Sequence, residues 1–533
     1  MFPDFQAPEQ HVPRVFQQPG CSIARLFSKR KRHEIRRTAR HAGRFLSHPL
    51  CAGPVPALER RRAHRLRALR IGCRSAGPGG IRARTHGSGG KEPPMTSAAP
   101  TLFPETTFVL VLVLLLMAPL AIAGVALINT GLGRSRSAAQ ALLGNLAIVA
   151  VTAIAFALVG AAFAGTTGGG HIFHAAGKPW NWLGTGPWFL SGLSSAAPQT
   201  QLGLLFGFLA AALAAIIPWG SGADRLRLAA GCAIAAVLAA VVFPLAAHWA
   251  WAGPLSGRGN EAGGWLSQLG VNFSLGAGFL DPAGAGVVHV LGGLSALAVV
   301  WIAGPRRGKF PQGGFATAMP GHNAVYILFG CLLALAGWVA FNLAGAVLWM
   351  HAPLASLPVT AINTLLSASG AVAATLAVTR YRFGKPDASL CANGWLTGLV
   401  ASSASAAVVS PLAALFIGIV AGILTPLLVE VLELAVSIDD PSGAITVHGA
   451  GGLWGLIAAG LFAAPAGQLT AQLVGIAALL GLILPLAYLL FWLLNRAVPF
   501  RVDADGERIG MDLHELGGGA YPEFVIHRDD SYR

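Results

Sequence analysis

The stretch Asp281-Pro-Ala-Gly-Ala-Gly-Val-Val-His289 recurs later in the chain as Asp440-Pro-Ser-Gly-Ala-Ile-Thr-Val-His448. Each copy continues into a glycine pair, Gly292-Gly293 and Gly451-Gly452. The shared pattern, D-P-x-G-A-x-x-V-H-x-x-G-G, opens an apolar run both times. Asp-Pro suits a helix start, because the carboxylate can cap and proline is tolerated in the first turn. Each histidine then lies eight residues into its helix, about 12 Å along an axis rising 1.5 Å per residue.

The surroundings of the two copies decide what they mean. The chain has 533 residues, of which 54% are hydrophobic and only 11% charged. Soluble domains carry about 25% charged residues, so most of this chain is solvated by something other than water. Apolar runs long enough for a bilayer core of about 30 Å recur along it. Eleven are expected, at roughly 107–130, 138–164, 201–219, 226–251, 283–304, 322–350, 356–379, 390–408, 411–434, 446–464 and 471–494.

Basic residues occupy alternate loops: Arg134 and Arg136; Arg225 and Arg227; Arg306, Arg307 and Lys309; Arg380, Arg382 and Lys385; then Arg496 and Arg501. The intervening loops hold only Lys178 and Arg258. The positive-inside rule therefore predicts an outside N-terminus and a cytoplasmic C-terminus. On that topology spans 5 and 10 run in opposite directions. The fold class expected is an all-α polytopic membrane protein with a 5+5 inverted repeat, spans 1–5 and 6–10, plus one extra helix. Such repeats place their site near the midplane at the repeat interface, where both imidazoles would meet. Ionisable groups inside a membrane are costly and mark pathways. His289 and His448 are thus expected to line a pore, where imidazoles can relay a proton or accept a hydrogen bond. The glycines of both copies would let the helix backbones approach closely.

The net charge of +15 suggests nucleic acid until it is located. Residues 1–94 hold 20 of the 37 Lys and Arg and 5 of the 22 Asp and Glu. The remainder is neutral, so no nucleic-acid partner is expected for it. The leader lacks the apolar core of a secretory signal. It reads as a basic disordered segment or as a mis-assigned start ahead of Met95, followed by a membrane domain over 95–495 and a cytoplasmic tail over 496–533. Cysteines sit singly and show no zinc spacing. His171 and His174, without carboxylate or cysteine support, read as loop rather than metal site. The long segments 165–200 and 252–281 are expected to shape an outer vestibule. No nucleophile elbow or phosphate loop points to an enzyme, and no cofactor is implied.

With these residues in hand, the chain resembles the ammonium transporter family (Amt/Mep/Rh, on its Amt-like branch) from about 107 to 521. The likeness is carried by both Asp-to-His elements, by Gly337-Trp338-Val339-Ala340-Phe341-Asn342, and by Asp439-Asp440-Pro441 through Gly455. The tail Gly510-Met511-Asp512-Leu513-His514-Glu515 with Ala520-Tyr521 also carries it. The resemblance implies a homotrimer in the cell (inner or plasma) membrane, each subunit with its own narrow apolar pore for ammonium or ammonia. Methylammonium would serve as an analogue. His289 and His448 would be the midpore pair. Phe341 and Phe208, with Phe206 next, would be the gate, and Trp251 the aromatic wall of an outer recruitment site. Asp281, Asp440, Trp338 and Asn342 would give structural support. The outer-site position at which many members carry serine is Gly345 here. Family tails contact neighbouring subunits and P-II-type regulators, and Asp503, Asp505, Glu507 and Asp512 offer such a surface. Two other functions stay open: an ammonium sensor with little conduction, and an Rh-like channel for ammonia or carbon dioxide.

Overall fold

The computed structural model describes residues 103–165, 170–253, 263–312, 314 and 316–521. The basic leader and the last dozen residues lie outside these. The long helices are α1 (Glu105–Leu132), α2 (Ser135–Ala164), α3 (Pro198–Ser221), α4 (Leu228–Trp251), α5 (Ala285–Ala303), α6 (Ala324–Met350), α7 (Leu354–Phe383), α8 (Ala388–Ser405), α9 (Pro411–Ala435), α10 (Ile445–Phe462) and α11 (Gln468–Ala497). All but α8 are long and apolar enough to cross a membrane, which makes ten such helices among the described residues.

The eighth expected span thus departs from the others, for a physical reason. Helix α8 has 18 residues and buries Asn393, Thr397, Ser402, Ser403 and Ser405. Its hydroxyls are bonded inside the bundle: Thr425 donates to Thr397 at 2.9 Å, and Asn342 donates to Ser402 at 2.9 Å. A helix enclosed by other helices can carry polar groups if each has a partner. The outward faces of other helices are the reverse. Leu116, Leu146, Phe329 and Leu412 are exposed, as expected where hydrocarbon rather than water is the solvent.

One element breaks the all-α expectation. His171–Ala175 (β1) and Lys178–Leu183 (β2) pair antiparallel as a hairpin. Its aromatic residues pack on one another and on the end of α4: Trp182 stacks on Trp265 at 5.2 Å and meets Trp249 edge-on at 5.4 Å. His171 and His174 stand three apart on β1, hence on opposite faces of the strand.

The inverted repeat is visible in how α5 and α10 cross. A side chain added at Gly293 would meet the backbone of Gly449, and one at Gly452 would meet Ala285 and Val290. As numbers rise on one helix they fall on the other, so the two copies run antiparallel at backbone contact. Gly284 and Gly443, the matched glycines of the D-P-x-G turns, both sit at positive φ (79° and 69°), a region that glycine enters without steric cost.

A buried ion cluster braces the far ends of these helices. Arg306, just past α5, pairs with Asp439, just before α10, at 2.9 Å and with Asp224 at 3.1 Å. Arg225, fully buried, donates to the carbonyls of Gly304 and Asp439. Burial alone pushes the Asp439 carboxyl up, but Arg306 and Arg225 outweigh it and hold it below its ordinary value.

The tail folds back onto this face. Asp512 accepts from the amides of Ala139 and Gln140 at 3.1 and 2.7 Å, capping α2. Glu515 accepts from Leu228 N at 2.9 Å, at the start of α4. Glu507 accepts from Arg307 N at 2.6 Å and pairs with Arg501 at 2.7 Å. Of the four acids expected to form one open surface, Glu507 and Asp512 are instead buried in helix-capping and ion-pairing work, while Asp503 and Asp505 stay exposed.

Candidate functional site

Both Asp-Pro turns do the same local work. Asp281 Oδ2 accepts from Gly286 N at 3.0 Å and Val287 N at 2.8 Å. Asp440 Oδ2 accepts from Ile445 N, the residue matching Gly286, at 2.8 Å. Each carboxylate thus ties down amides that a helix start leaves without partners. Beyond each cap the first turn is π-helical, over Ala285–Val290 and Ile445–Ala450. His289 N, for example, reaches back to Gly284 O at 3.0 Å. Short π-turns recur at functional sites because they re-aim a side chain without ending the helix. No residue pattern in the sequence announced them, yet each holds one of the two histidines.

The histidines meet. His289 Nδ1 and His448 Nδ1 are 3.2 Å apart, with ring centroids at 5.2 Å, and both side chains are buried. Two ring nitrogens at that distance share one proton, so in the neutral pair one histidine is the Nδ1–H tautomer and the other the Nε2–H tautomer. The pair therefore offers one Nε2 lone pair and one Nε2–H to a small solute. Those roles swap only when two protons move: the shared one between the Nδ1 atoms, and another between the Nε2 atoms by way of the solute. The Nε2 of His289 is buried without a partner. Trp338 stacks on the His289 ring at 4.9 Å and is held by its own bond to Ser403 Oγ at 2.9 Å. Asn342 is anchored to Thr364 and Ser402. Trp338 thus packs against the ring, and Asn342 ties α6 to α7 and α8.

One face of α6 follows the path away from the histidines. Trp338, Phe341, Gly345 and Trp349 fall at spacings of three, four and four, so they share one side of the helix. Phe341 stacks on Phe206 at 4.2 Å with an interplanar angle of 19°. The aromatic partner of Phe341 is therefore Phe206 and not Phe208, which the resemblance had favoured. Residues two apart on a helix point to nearly opposite sides, and Phe208 turns away to pack edge-on against Phe156 at 4.9 Å. Gly345 packs on the turn of the first copy: a Cβ there would lie 2.1 Å from the carbonyl oxygen of Pro282. Trp251 donates from Nε1 to the Asp281 carbonyl at 2.7 Å and touches Phe206 edge-on at 5.3 Å. Trp349, which motif reading missed, stacks on Trp251 at 5.5 Å. Its helical phase from Phe341 was the available signal.

A bundle of membrane-spanning helices built on an inverted repeat, with a stacked aromatic pair beside two buried imidazoles in contact, has the make-up of a membrane transporter with a narrow pore. Comparison with known proteins agrees. Residues 107–521 match the Ammonium Transporter Family. The chain is 36% identical over 425 residues to ammonium transporter Amt2 of Archaeoglobus fulgidus, covering 76% of this chain and 85% of that protein. It is 31% identical over 432 residues to ammonium transporter 1 member 3 of Solanum lycopersicum, covering 75% and 89%. Among solved structures, a sensor Amt protein superposes with a TM-score of 0.68 at 28% identity, covering 76% of this chain and 97% of that one. Saccharomyces cerevisiae Mep2 shares the fold, with a TM-score of 0.61 at 23% identity over 76% and 91% of the two chains. The chain belongs to the ammonium transporter family, and ammonium transport is the function that membership carries.

Proposed function

We propose that ammonium enters from the outer side past Trp251, loses its water at the Phe206–Phe341 stack, and passes its nitrogen to His289 and His448. The carrying observation is the 3.2 Å contact between matched histidines of two antiparallel copies. A tight apolar constriction excludes hydrated ions such as sodium. Beyond it, the Nε2 of one histidine takes a proton from the ammonium nitrogen, the shared proton passes to the other ring, and that ring releases its own Nε2 proton onward, which restores a neutral pair. Asp281 and Asp440 act through their caps, holding the two π-turns, and Trp338 and Asn342 hold the α6 face against them. Gly345 belongs to this outer region as the point where α6 rests on the Asp281-Pro282 turn.

In this reading α8 is the eleventh span, the N-terminus is outside and the C-terminus cytoplasmic, following the alternation of basic loops. The protein works as a homotrimer in the cell membrane. A P-II-type regulator would meet the cytoplasmic face around Asp503 and Asp505, the acids left exposed.

The test is an ammonium pulse on proteoliposomes of the reconstituted protein, with current and lumenal pH recorded together. An ammonium-dependent signal, with methylammonium as a weaker substitute, is expected. Likeness to a sensor Amt protein favours one alternative, binding without conduction. Saturable binding with neither current nor pH change would establish that alternative and end this reading.

A further inference from the structure

We infer that Trp349 is the residue that controls access to the outer cation site, as a movable cover over Trp251. This rests on the transport reading above and names a residue that reading does not use. Cation–π attraction needs an open ring face, and Trp251 has little to offer: it is only 4% exposed. Trp349 lies parallel to it, 5.5 Å away at an interplanar angle of 5°, and Phe206 and Phe243 meet it edge-on at 5.3 and 6.2 Å. Trp349 itself is half-buried.

The two indoles are held differently. Trp251 is pinned by its Nε1 bond to the Asp281 carbonyl. The Nε1 of Trp349 is buried with no hydrogen-bond partner, so its ring is held by apolar packing, including the stack on Trp251 and an edge-on contact with Phe206 at 5.6 Å. Gly345, one turn away, has no side chain and no room for one against Pro282. A monovalent ammonium or small alkylammonium ion therefore reaches the fixed ring by displacing the loose one, exchanging an aromatic stack for a cation–π contact. Trp251 is the wall and Trp349 the cover.

A wall and a cover predict opposite signs when removed. Proteoliposomes carrying Trp349→Leu, Trp349→Phe or Trp251→Leu are compared with wild type for the ammonium concentration giving half-maximal signal. Trp349→Leu should lower it roughly 2- to 10-fold, the range spanned by aromatic pairs of ordinary strength. Trp349→Phe should lower it less, and Trp251→Leu should raise it. If Trp349→Leu does not fold, the sign of the Phe variant decides. An unchanged or raised half-maximal concentration in the Trp349 variants, with wild type conducting normally, overturns the cover. Absence of any signal from wild type overturns the transport reading beneath it.

Discussion

The first and second copies of the Asp-to-His segment share a cap, a left-handed glycine, a π-turn and a histidine, yet they are braced in different ways. Leu280 precedes Asp281 in the first copy, and the turn rests on Gly345 of α6 and on the indole of Trp251. Asp439 takes the place of Leu280 in the second, and draws Arg306 and Arg225 into a buried charge cluster. One turn is held by packing and by hydrogen bonds with Trp251, Ser403 and Gln472, the other by ions. The difference shows that the repeat conserves what aims the imidazoles and leaves each end free to suit its side. The first end borders the aromatic approach to the pore. The second ties α5 to α10 and, through Arg501 and Glu507, brings the tail to the same face.

Removing one member of the ionic brace should have the largest effect on stability. Asp439→Ala leaves Arg306 and Arg225 buried without their shared carboxylate, at an expected cost of about 3–5 kcal/mol. Thermal unfolding of the detergent-purified protein measures it. Pairing Asp439→Leu with Arg306→Met should recover much of the loss, and failure to recover would mean the cluster does more than balance charge. At the packed end, Gly345→Ser drives a Cβ into the Pro282 carbonyl and should cost about 1–3 kcal/mol. A neutral result would show that the turn has slack, and that a hydroxyl can be supplied there after all.

Asp281→Ala and Asp440→Ala sharpen the comparison from the shared side. Each loses a cap worth about 0.5–2 kcal/mol, and similar losses are expected in unfolding midpoint. A large inequality would mean that the two caps are not doing equivalent work. The smallest effect is one of pH. Asp439 is held below its ordinary value, so its contribution is complete above about pH 4, the unfolded carboxyl value. It is lost as pH falls through the lower folded value. The melting temperature of wild type should therefore drop more steeply below about pH 4 than that of the Asp439→Leu, Arg306→Met pair.

Much of this was legible in the residues because membrane physics leaves few choices. Apolar runs, alternating basic loops and the repeated D-P-x-G-A-x-x-V-H element led to the helices and to both histidines. Other features depended on helical phase or on tertiary context. The motif favours Phe208 over Phe206, yet the rotation of α3 turns Phe206 to face Phe341. Arg306 and Arg225 read as loop charges, since nothing local reveals that Asp439 and Asp224 will enclose them. The two π-turns carry no pattern of their own. Helix α8 fell short in hydropathy because its partners are protein. The Lys178–Leu183 strand hid in a tryptophan-rich loop whose alternation is only six residues long.

The central claim is that His289 and His448 form one site. Ammonium flux into proteoliposomes should be measured for His289→Ala, His448→Ala and the double variant, each checked for a wild-type-like melt. If the imidazoles act as a unit, either single substitution should lose nearly as much flux as the double, the non-additivity expected of groups that work together. Flux that survives unchanged in the double variant, or losses that simply add, would contradict the account.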